Sequence, residues 1–316
     1  MSIQSVPFHQ LGKNGPLVPA LGFGLMGMSY APYGAIPGDE ERFAILDRAV
    51  ELGATFWDTS DLYGDSEALL AKWFKRTGKR EQIFLGTKFG FVKGNWLHNA
   101  NPETPIEETM SAMMELQAEG KIKHIGLSAI SSTTLRRACK IGTVAAVQTE
   151  YAVFTRDIES TEGTNLLATC RELGVAIVVL APLGRGLLTS TFSNGDNVGD
   201  STDSRPKNMP RFLEENREHN VKVAGKFKAL ADKKGCTVSQ LALAWLLKQG
   251  DDIFPIPGTK KLKYLEENWG ALGISLSDEE EAEIRDFAEK NEFAGGPAPD
   301  AFAAYLFRDT KEVSAQ

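Results

Sequence analysis

The sequence predicts an α/β protein in which parallel strands alternate with crossover helices, and three observations predict it. Short apolar, β-branched runs alternate with segments of helical period along nearly the whole chain. Most of those runs are apolar from end to end, as strands buried on both faces must be. The 316 residues, 42% hydrophobic and 24% charged, suit one α/β barrel whose core needs no disulfide staples. No linker or shift in composition divides the chain, so a single domain over residues 1–316 is expected.

The elements follow in order. Phe8–Pro19 places a Lys-Asn-Gly turn between two short runs, which predicts a hairpin over 8–19 plugging one end of a barrel. Strands are expected at Leu21–Gly24, Thr55–Asp58, Ile83–Thr87, His124–Ser128, Ala145–Gln148, Ala176–Leu180 and Ile253–Ile256. A helix over Glu40–Leu52 ends at Gly53, a residue suited to the left-handed position after a helix. Thr104–Glu119 opens Thr-Pro-Ile-Glu, which predicts Thr104 as N-cap, Pro105 at the first helical position and Glu107 closing the cap. Further helices are read at Ser66–Lys75, Ser132–Lys140, Thr164–Leu173, Glu214–Lys234, Val238–Gln249 and Lys261–Gly270. The last begins with the capping box Ser277…Glu280 and ends near Lys290, leaving 291–316 as a tail. Between them Gly184–Pro210 is long, polar and rich in Gly, Ser, Asn and Asp, which predicts a functional or disordered loop.

A closed barrel of parallel strands needs eight, and the list above holds seven. The 36 residues between Thr87 and His124 carry one helix. Phe89–Leu97 could supply another strand, but Gly90 and Gly94 make it a poor one.

Net charge is −7 and the pI about 5.3. An acidic surface repels nucleic acid and anionic lipid, so a phosphate-bearing ligand needs a local basic patch. The first residues lack a basic start followed by an apolar run, and the longest apolar stretch, Val175–Ala181, is too short to cross a bilayer. A soluble, cytoplasmic protein with no nucleic-acid or membrane partner is expected. Cys139, Cys170 and Cys236 show no CxxC or Cys/His spacing, which predicts idle reduced thiols and no metal.

Active sites of parallel barrels lie at the C-terminal ends of the strands. The second strand ends at Asp58, with Tyr63 five residues on, and the third is followed by Lys88. A lysine closing a buried strand beside an aspartate on the neighbouring strand should form an ion pair. Its ammonium would lower the pKa of a nearby tyrosine and fit it for protonating an oxyanion. The same three residues also read as a buried ion pair with a packing tyrosine, and composition alone does not choose between the two. Near the chain's end, Gly258-Thr259-Lys260-Lys261 leads from a strand into a helix N-terminus. Free N–H groups there, with a hydroxyl and two cations, suit an anion such as a phosphate.

The runs GFGLMGMS (22–29), DTSDLYGDSEALLAKWF (58–74), LGTKFGF (85–91), GKIKHIGLS (120–128), VQTEY (147–151), LAPLGRGLL (180–188) and IPGTKKLKYLEEN (256–268) together resemble the aldo-keto reductases, in the branch of bacterial and fungal enzymes acting on pyridoxal and small aryl aldehydes. The resemblance runs in order from about residue 8 to about residue 290. It implies a (β/α)8 TIM barrel with one β/α unit missing, and hydride transfer from NADPH to an aldehyde or ketone carbon. Tyr63 would match the proton donor, Lys88 the residue beside it and Asp58 the partner of Lys88. Ser128 and Gln148 would hold the nicotinamide carboxamide. Leu183, Arg185 and Leu188 would lie in the loop over the pyrophosphate, with Gly24 and Met26 also facing the cofactor. Gly258, Thr259, Lys260 and Lys261 would take the adenosine 2′-phosphate, and Glu267 and Asn268 the adenine. The partner expected is a small carbonyl substrate, the assembly a monomer or homodimer.

Three departures qualify the resemblance. The family's catalytic histidine, in a run resembling Tyr-Gln-His-Arg-Val-Asp after the fourth strand, has no counterpart here, and its loss coincides with the strand shortage. The histidines present are His9, His98, His124 and His219; His98, in the shortened connection, reads as a solvent-facing residue or as one near the site. Leu180 stands where many members have a tyrosine, and Tyr264 where some have an arginine. Phe23, Met26, Tyr30, Tyr33 and Trp96 read either as lining of an apolar pocket or as packing. The leading reading is a carbonyl reductase; a catalytically silent NADP-binding protein and a variant whose barrel does not close are the alternatives.

Overall fold

The structure, a computed structural model, describes residues 6–30, 32–90, 100–303 and 305–313. The chain enters through an antiparallel hairpin, β1 (Phe8–Gln10) and β2 (Leu17–Pro19), with His9 opposite Val18. The Lys13 N–H donates to the Gly174 carbonyl at 2.6 Å. Gly12, at φ +73°, sits where a Cβ would fall 2.2 Å from the Ala145 carbonyl oxygen. Gly174 and Ala145 each just precede a parallel strand, so the hairpin closes the N-terminal end of the barrel, as the sequence predicts.

The parallel strands are β3 (Phe23–Gly24), β4 (Phe56–Asp58), β5 (Phe84–Gly86), β6 (Gly126–Ser128), β7 (Ala146–Glu150), β8 (Ala176–Leu180) and β9 (Ile253–Pro255). All seven expected runs hold a strand, most of them a residue or two shorter than the run. In sheet order, β3, β4 and β5 form one ladder and β6, β7, β8 and β9 another. The N–H groups of Gly22 and Gly24 donate to Pro255 and Pro257 at 2.9 and 3.3 Å, which joins β9 to β3. Among the described residues no ladder joins β5 to β6; across that seam the Phe84 and His124 rings meet at 5.9 Å. Of the expected Phe89–Leu97 strand, Phe89 and Gly90 are not in a strand, and residues 91–97 lie outside the described residues, as do Trp96 and His98.

Nine longer helices among the described residues surround the strands: α1 (Asp39–Glu51), α2 (Ser66–Thr77), α3 (Ile106–Ala118), α4 (Ser132–Ile141), α5 (Leu166–Leu173), α6 (Glu214–Lys234), α7 (Val238–Lys248), α8 (Leu262–Trp269) and α9 (Asp278–Lys290). Side chains alternate across a strand, so register sorts the two faces. Phe56, Phe84, Ala146, Val178 and Phe254 share the inner face and pack together. Trp57, Val147, Ile177 and Val179 point outward and are fully covered by the helices. Phe23 is buried with Trp57 in that outer core, so it packs rather than lining a pocket. Gly24 leaves no room for a side chain, because a Cβ there would lie 2.7 Å from the Ile256 carbonyl oxygen. Gly24→Ala should therefore lower the unfolding free energy by about 1–3 kcal/mol. A shift of the urea midpoint at constant slope would show it, and an unchanged midpoint would contradict it.

Capping was predicted correctly for α9, where Ser277 and Glu280 form the box, and wrongly for α3. Pro105 is the N-cap residue of α3, and no side chain of its own turn caps it. The Thr104 hydroxyl instead accepts from Asn101 Nδ2 at 3.1 Å. The Ile106 N–H donates to the hydroxyl of Thr310, at 3.2 Å and 204 positions away. The tail segment 307–311 is thus fastened between α3 and α4. Arg137 donates to the Thr310 and Lys311 carbonyls at 2.7 Å each, Ser131 bonds Asp309, and the Phe307 N–H donates to Ala129 at 3.2 Å. Helix α5 begins at Leu166 and not at the expected Thr164, since Thr164 and Asn165 are both left-handed, at φ 57° and 52°.

Candidate active site

The inner face of β4 delivers Asp58 to the C-terminal mouth of the barrel, and β5 leads to Lys88. Lys88 Nζ lies 2.6 Å from Asp58 Oδ1 and donates to the Thr59 carbonyl at 2.6 Å. The other Asp58 oxygen accepts from Gln148 Nε2 at 2.8 Å, across the barrel from β7. Lys88 Nζ stands 5.1 Å from the centre of the Tyr63 ring, and the Tyr30 ring lies 6.4 Å from that of Tyr63. Asp58, Lys88, Gln148 and Tyr63 therefore form one group.

Arg42 aligns the two segments that carry the tyrosines. Buried on α1, it donates to Asp65 at 2.7 and 2.9 Å, to Ser29 Oγ at 3.1 Å and to the Met28 carbonyl at 3.3 Å. The turn behind Tyr30 and the turn behind Tyr63 are thereby tied together. Sequence reading missed Arg42, because its partners are brought to it only by the fold.

The expected fall in the Tyr63 pKa does not occur. Burial pushes this phenol well above the usual tyrosine value, the Asp58 charge adds to the rise, and Arg185 alone among the named neighbours opposes it. Lys88 cannot reverse this, since its charge is matched by Asp58 in direct contact. The phenol is held protonated.

Ser128 ends β6 on the same inner face as Gln148. The Gln148 amide nitrogen is used by Asp58, which leaves its oxygen as an acceptor. Gly258 bridges to Gly24 and starts the strip Gly258–Lys261 leading into α8, whose N-terminus no side chain caps. First-turn N–H groups there remain available. Lys260 Nζ donates to the Tyr33 and Ala35 carbonyls at 2.8 and 2.6 Å, and burial pushes its pKa down. Asn268 is buried at the far end of α8, with Glu267 half-buried beside it. Met26 opens a short helical turn, Met26–Ser29.

The Gly184–Pro210 segment is more ordered than its composition suggests. Arg205 bonds Asp203 through Nε at 3.0 and 3.1 Å, reaches the Val198 carbonyl at 2.9 Å and also bonds the Arg185 carbonyl. The segment crosses to the loop after β3. There the Ser204 N–H donates to Pro32 at 3.0 Å and Asp200 accepts from the Ala35 N–H at 2.9 Å. Leu188 is buried in the main core. Leu183 is half-buried between core clusters. Arg185 turns its guanidinium to Glu150 Oε2 at 2.8 Å. Leu180 ends β8 opposite Glu150, and the Tyr264 hydroxyl lies 3.4 Å from that of Thr191.

Among the described residues no group of three or more His, Cys, Asp or Glu side chains could hold a metal, and no helix is long and apolar enough to cross a membrane.

A parallel α/β barrel with its polar group at the C-terminal mouth defines the class as a TIM-barrel enzyme. The particular lineage follows from comparison: the chain belongs to the aldo/keto reductase family, whose model matches residues 20–98 and 95–289. It is 44% identical over 321 aligned residues to aldo-keto reductase str7 of Strobilurus tenacellus, covering 92% of this chain and 94% of that protein. It is 41% identical over 342 aligned residues to aldo-keto reductase yakc [NADP(+)] of Schizosaccharomyces pombe, covering 97% and 98%. Among solved structures it matches the thermostable aldo-keto reductase Tm1743, described in complex with the inhibitor epalrestat, at 27% identity and a TM-score of 0.69, covering 89% and 99%.

Proposed function

We propose that this chain is a single-domain NADP(H)-dependent reductase of small aldehydes or ketones, soluble in the cytoplasm as a monomer or homodimer. The observation that carries this reading is the Asp58–Lys88 pair, bonded to Gln148 and lying beside a protonated Tyr63 at the barrel mouth. The residues present fit the cofactor. The Ser128 hydroxyl and the Gln148 amide oxygen suit the nicotinamide carboxamide. Thr259, Lys260 and Lys261, at an uncapped helix N-terminus, suit a 2′-phosphate. Glu267 and Asn268 would take the adenine, with Gly24, Met26 and Gly258 bordering the same strip. When bound, NADPH supplies the hydride that reduces the carbonyl carbon. The Tyr63 phenol donates its proton to the carbonyl oxygen, and the Lys88 ammonium is the cation that lies beside the ring as it does so. Asp58 holds Lys88 in place.

A raised Tyr63 pKa sets the pH dependence. The protonated form is the active one for reduction, and it persists up to and beyond the ordinary phenol value of 10.0. The kcat for reduction should therefore show no fall from this group between roughly pH 6 and 9. A fall centred near neutrality, and absent from the Tyr63→Phe background, would count against the assignment.

We also read one β/α unit as missing between β5 and β6. In support, that seam has no ladder among the described residues, and the family match divides at residues 95–98. The 342 aligned positions with the second relative also outnumber the 316 residues here. The lost histidine run favours a second reading, a protein that binds NADP(H) without turnover.

One experiment tests both. Tryptophan fluorescence is titrated with NADPH and NADH, and turnover is then assayed on small aryl aldehydes. Saturable binding that favours NADPH, with turnover, supports the reductase; binding without turnover supports the silent protein; no binding overturns both. Lys260→Met should erase much of the preference for NADPH over NADH and leave NADH binding unchanged.

A further inference from the structure

The inner face of β7 places Glu150 two residues beyond Gln148, so one layer above the Asp58–Lys88 pair and nearer the mouth. Arg185 reaches into this layer. Its Nη2 donates to Glu150 Oε2 at 2.8 Å and its Nε to the Pro297 carbonyl at 3.3 Å. The Tyr33 side chain approaches the same guanidinium. A guanidinium carries five N–H groups in a rigid fork, so at least two donors remain, on a side chain that is 18% exposed. The backbone is bent to put it there. Arg185 has φ +58°, between Gly184 at +56° and Gly186 at +111°, and Arg205 clamps its carbonyl. A left-handed conformation is unfavourable for a non-glycine residue and persists where the surroundings impose it, commonly at functional sites. Because Glu150 and Gln148 share the inner face of β7, the guanidinium stands in the layer next to the Asp58–Lys88 pair that lies beside Tyr63.

The described histidines are engaged elsewhere. His9 pairs with Asp251, His219 bonds the Glu292 carbonyl, and His124 packs on Phe84.

We propose that Arg185 is the second hydrogen-bond donor to the substrate's carbonyl oxygen, beside the Tyr63 hydroxyl. The inference rests on the reductase reading and adds to it the group that polarises and orients the carbonyl. Glu150 holds the guanidinium in register. The pair also explains why an arginine, and not another glycine, occupies a strained position: its long, always-charged fork is what reaches the mouth.

The test uses the full chain with NADP+ and benzaldehyde carrying a 13C carbonyl, a non-productive complex in which the C=O stretch is read by isotope-edited infrared spectroscopy. In the unaltered protein the stretch should fall below its value in buffer. In Arg185→Gln the shift should largely vanish, kcat should drop about 10²–10³-fold, the loss typical of one oxyanion donor, and the NADPH Kd should hold. Arg185→Lys keeps a cation for Glu150 but loses the fork. It should show a partial shift, and it decides the matter if the glutamine variant does not fold. A full shift retained in both variants overturns the proposal. So does a loss confined to NADPH affinity, which would return Arg185 to the cofactor, or a shift abolished by His98→Asn and untouched at Arg185. Failure of the unaltered protein to bind NADP(H) overturns the parent reading and this one with it, and is visible before any variant is compared.

Discussion

Tyr63→Phe is expected to reduce carbonyl turnover by about 10²–10⁴-fold while leaving NADPH binding intact. The substitution removes one oxygen from a ring whose packing beside Tyr30 and Lys88 does not depend on it. Burial keeps that oxygen protonated, so it serves as an acid and not as a base in the direction of reduction. Steady-state kcat, paired with a fluorescence titration of NADPH, separates loss of chemistry from loss of cofactor. Undiminished kcat in the phenylalanine variant would remove Tyr63 from the mechanism. Loss of NADPH binding alone would make it a packing residue, the blander of the two readings the sequence allows.

Asp58→Ala should cost about 3–5 kcal/mol of stability, because it strands a buried cation. The side chains of Lys88 and Asp58 are only 12% and 9% exposed, and without the carboxylate Lys88 keeps, among the described residues, the Thr59 carbonyl and the face of the Tyr63 ring. Gln148 loses its partner in the same step. Equilibrium urea unfolding measures the loss, and Lys88→Met in the Asp58→Ala background should recover part of it, since the stranded charge is then gone. A single variant within about 1 kcal/mol of the parent would mean that water reaches Lys88, and the site would be more open than its burial indicates.

Local pattern carried the fold and only part of the site. The strands were legible because inner and outer faces are both apolar, so seven runs stand out from amphipathic neighbours. The capping box at Ser277 was legible because both of its members lie within one turn. Asp58 and Lys88 could be paired from sequence because adjacent parallel strands place their C-terminal ends side by side. What was missed depends on distance along the chain. Thr104 has the right chemistry to cap α3, yet Asn101 takes its hydroxyl and Thr310 does the work. The Tyr63 pKa was read from one neighbouring charge, whereas the fold supplies burial and a carboxylate that outweigh it. Arg185 was placed by its loop alone. A positive φ between two glycines, which no sequence pattern announces for an arginine, aims its side chain at Glu150 instead.

The fastening of residues 307–311 to α3 and α4 has a consequence for how the protein is made. These residues leave the ribosome after every strand they help secure. Until they emerge, the first N–H of α3 lacks its Thr310 acceptor, and Arg137 lacks two of its carbonyl partners. A nascent chain held in this interval has two helices not yet fastened together, and incompletely packed intermediates of this kind are prone to associate wrongly. Yield in the cell should then depend on how quickly residues 307–311 reach α3 and α4 and on whether chaperones shelter the barrel until they do, more than on the equilibrium stability of the completed fold.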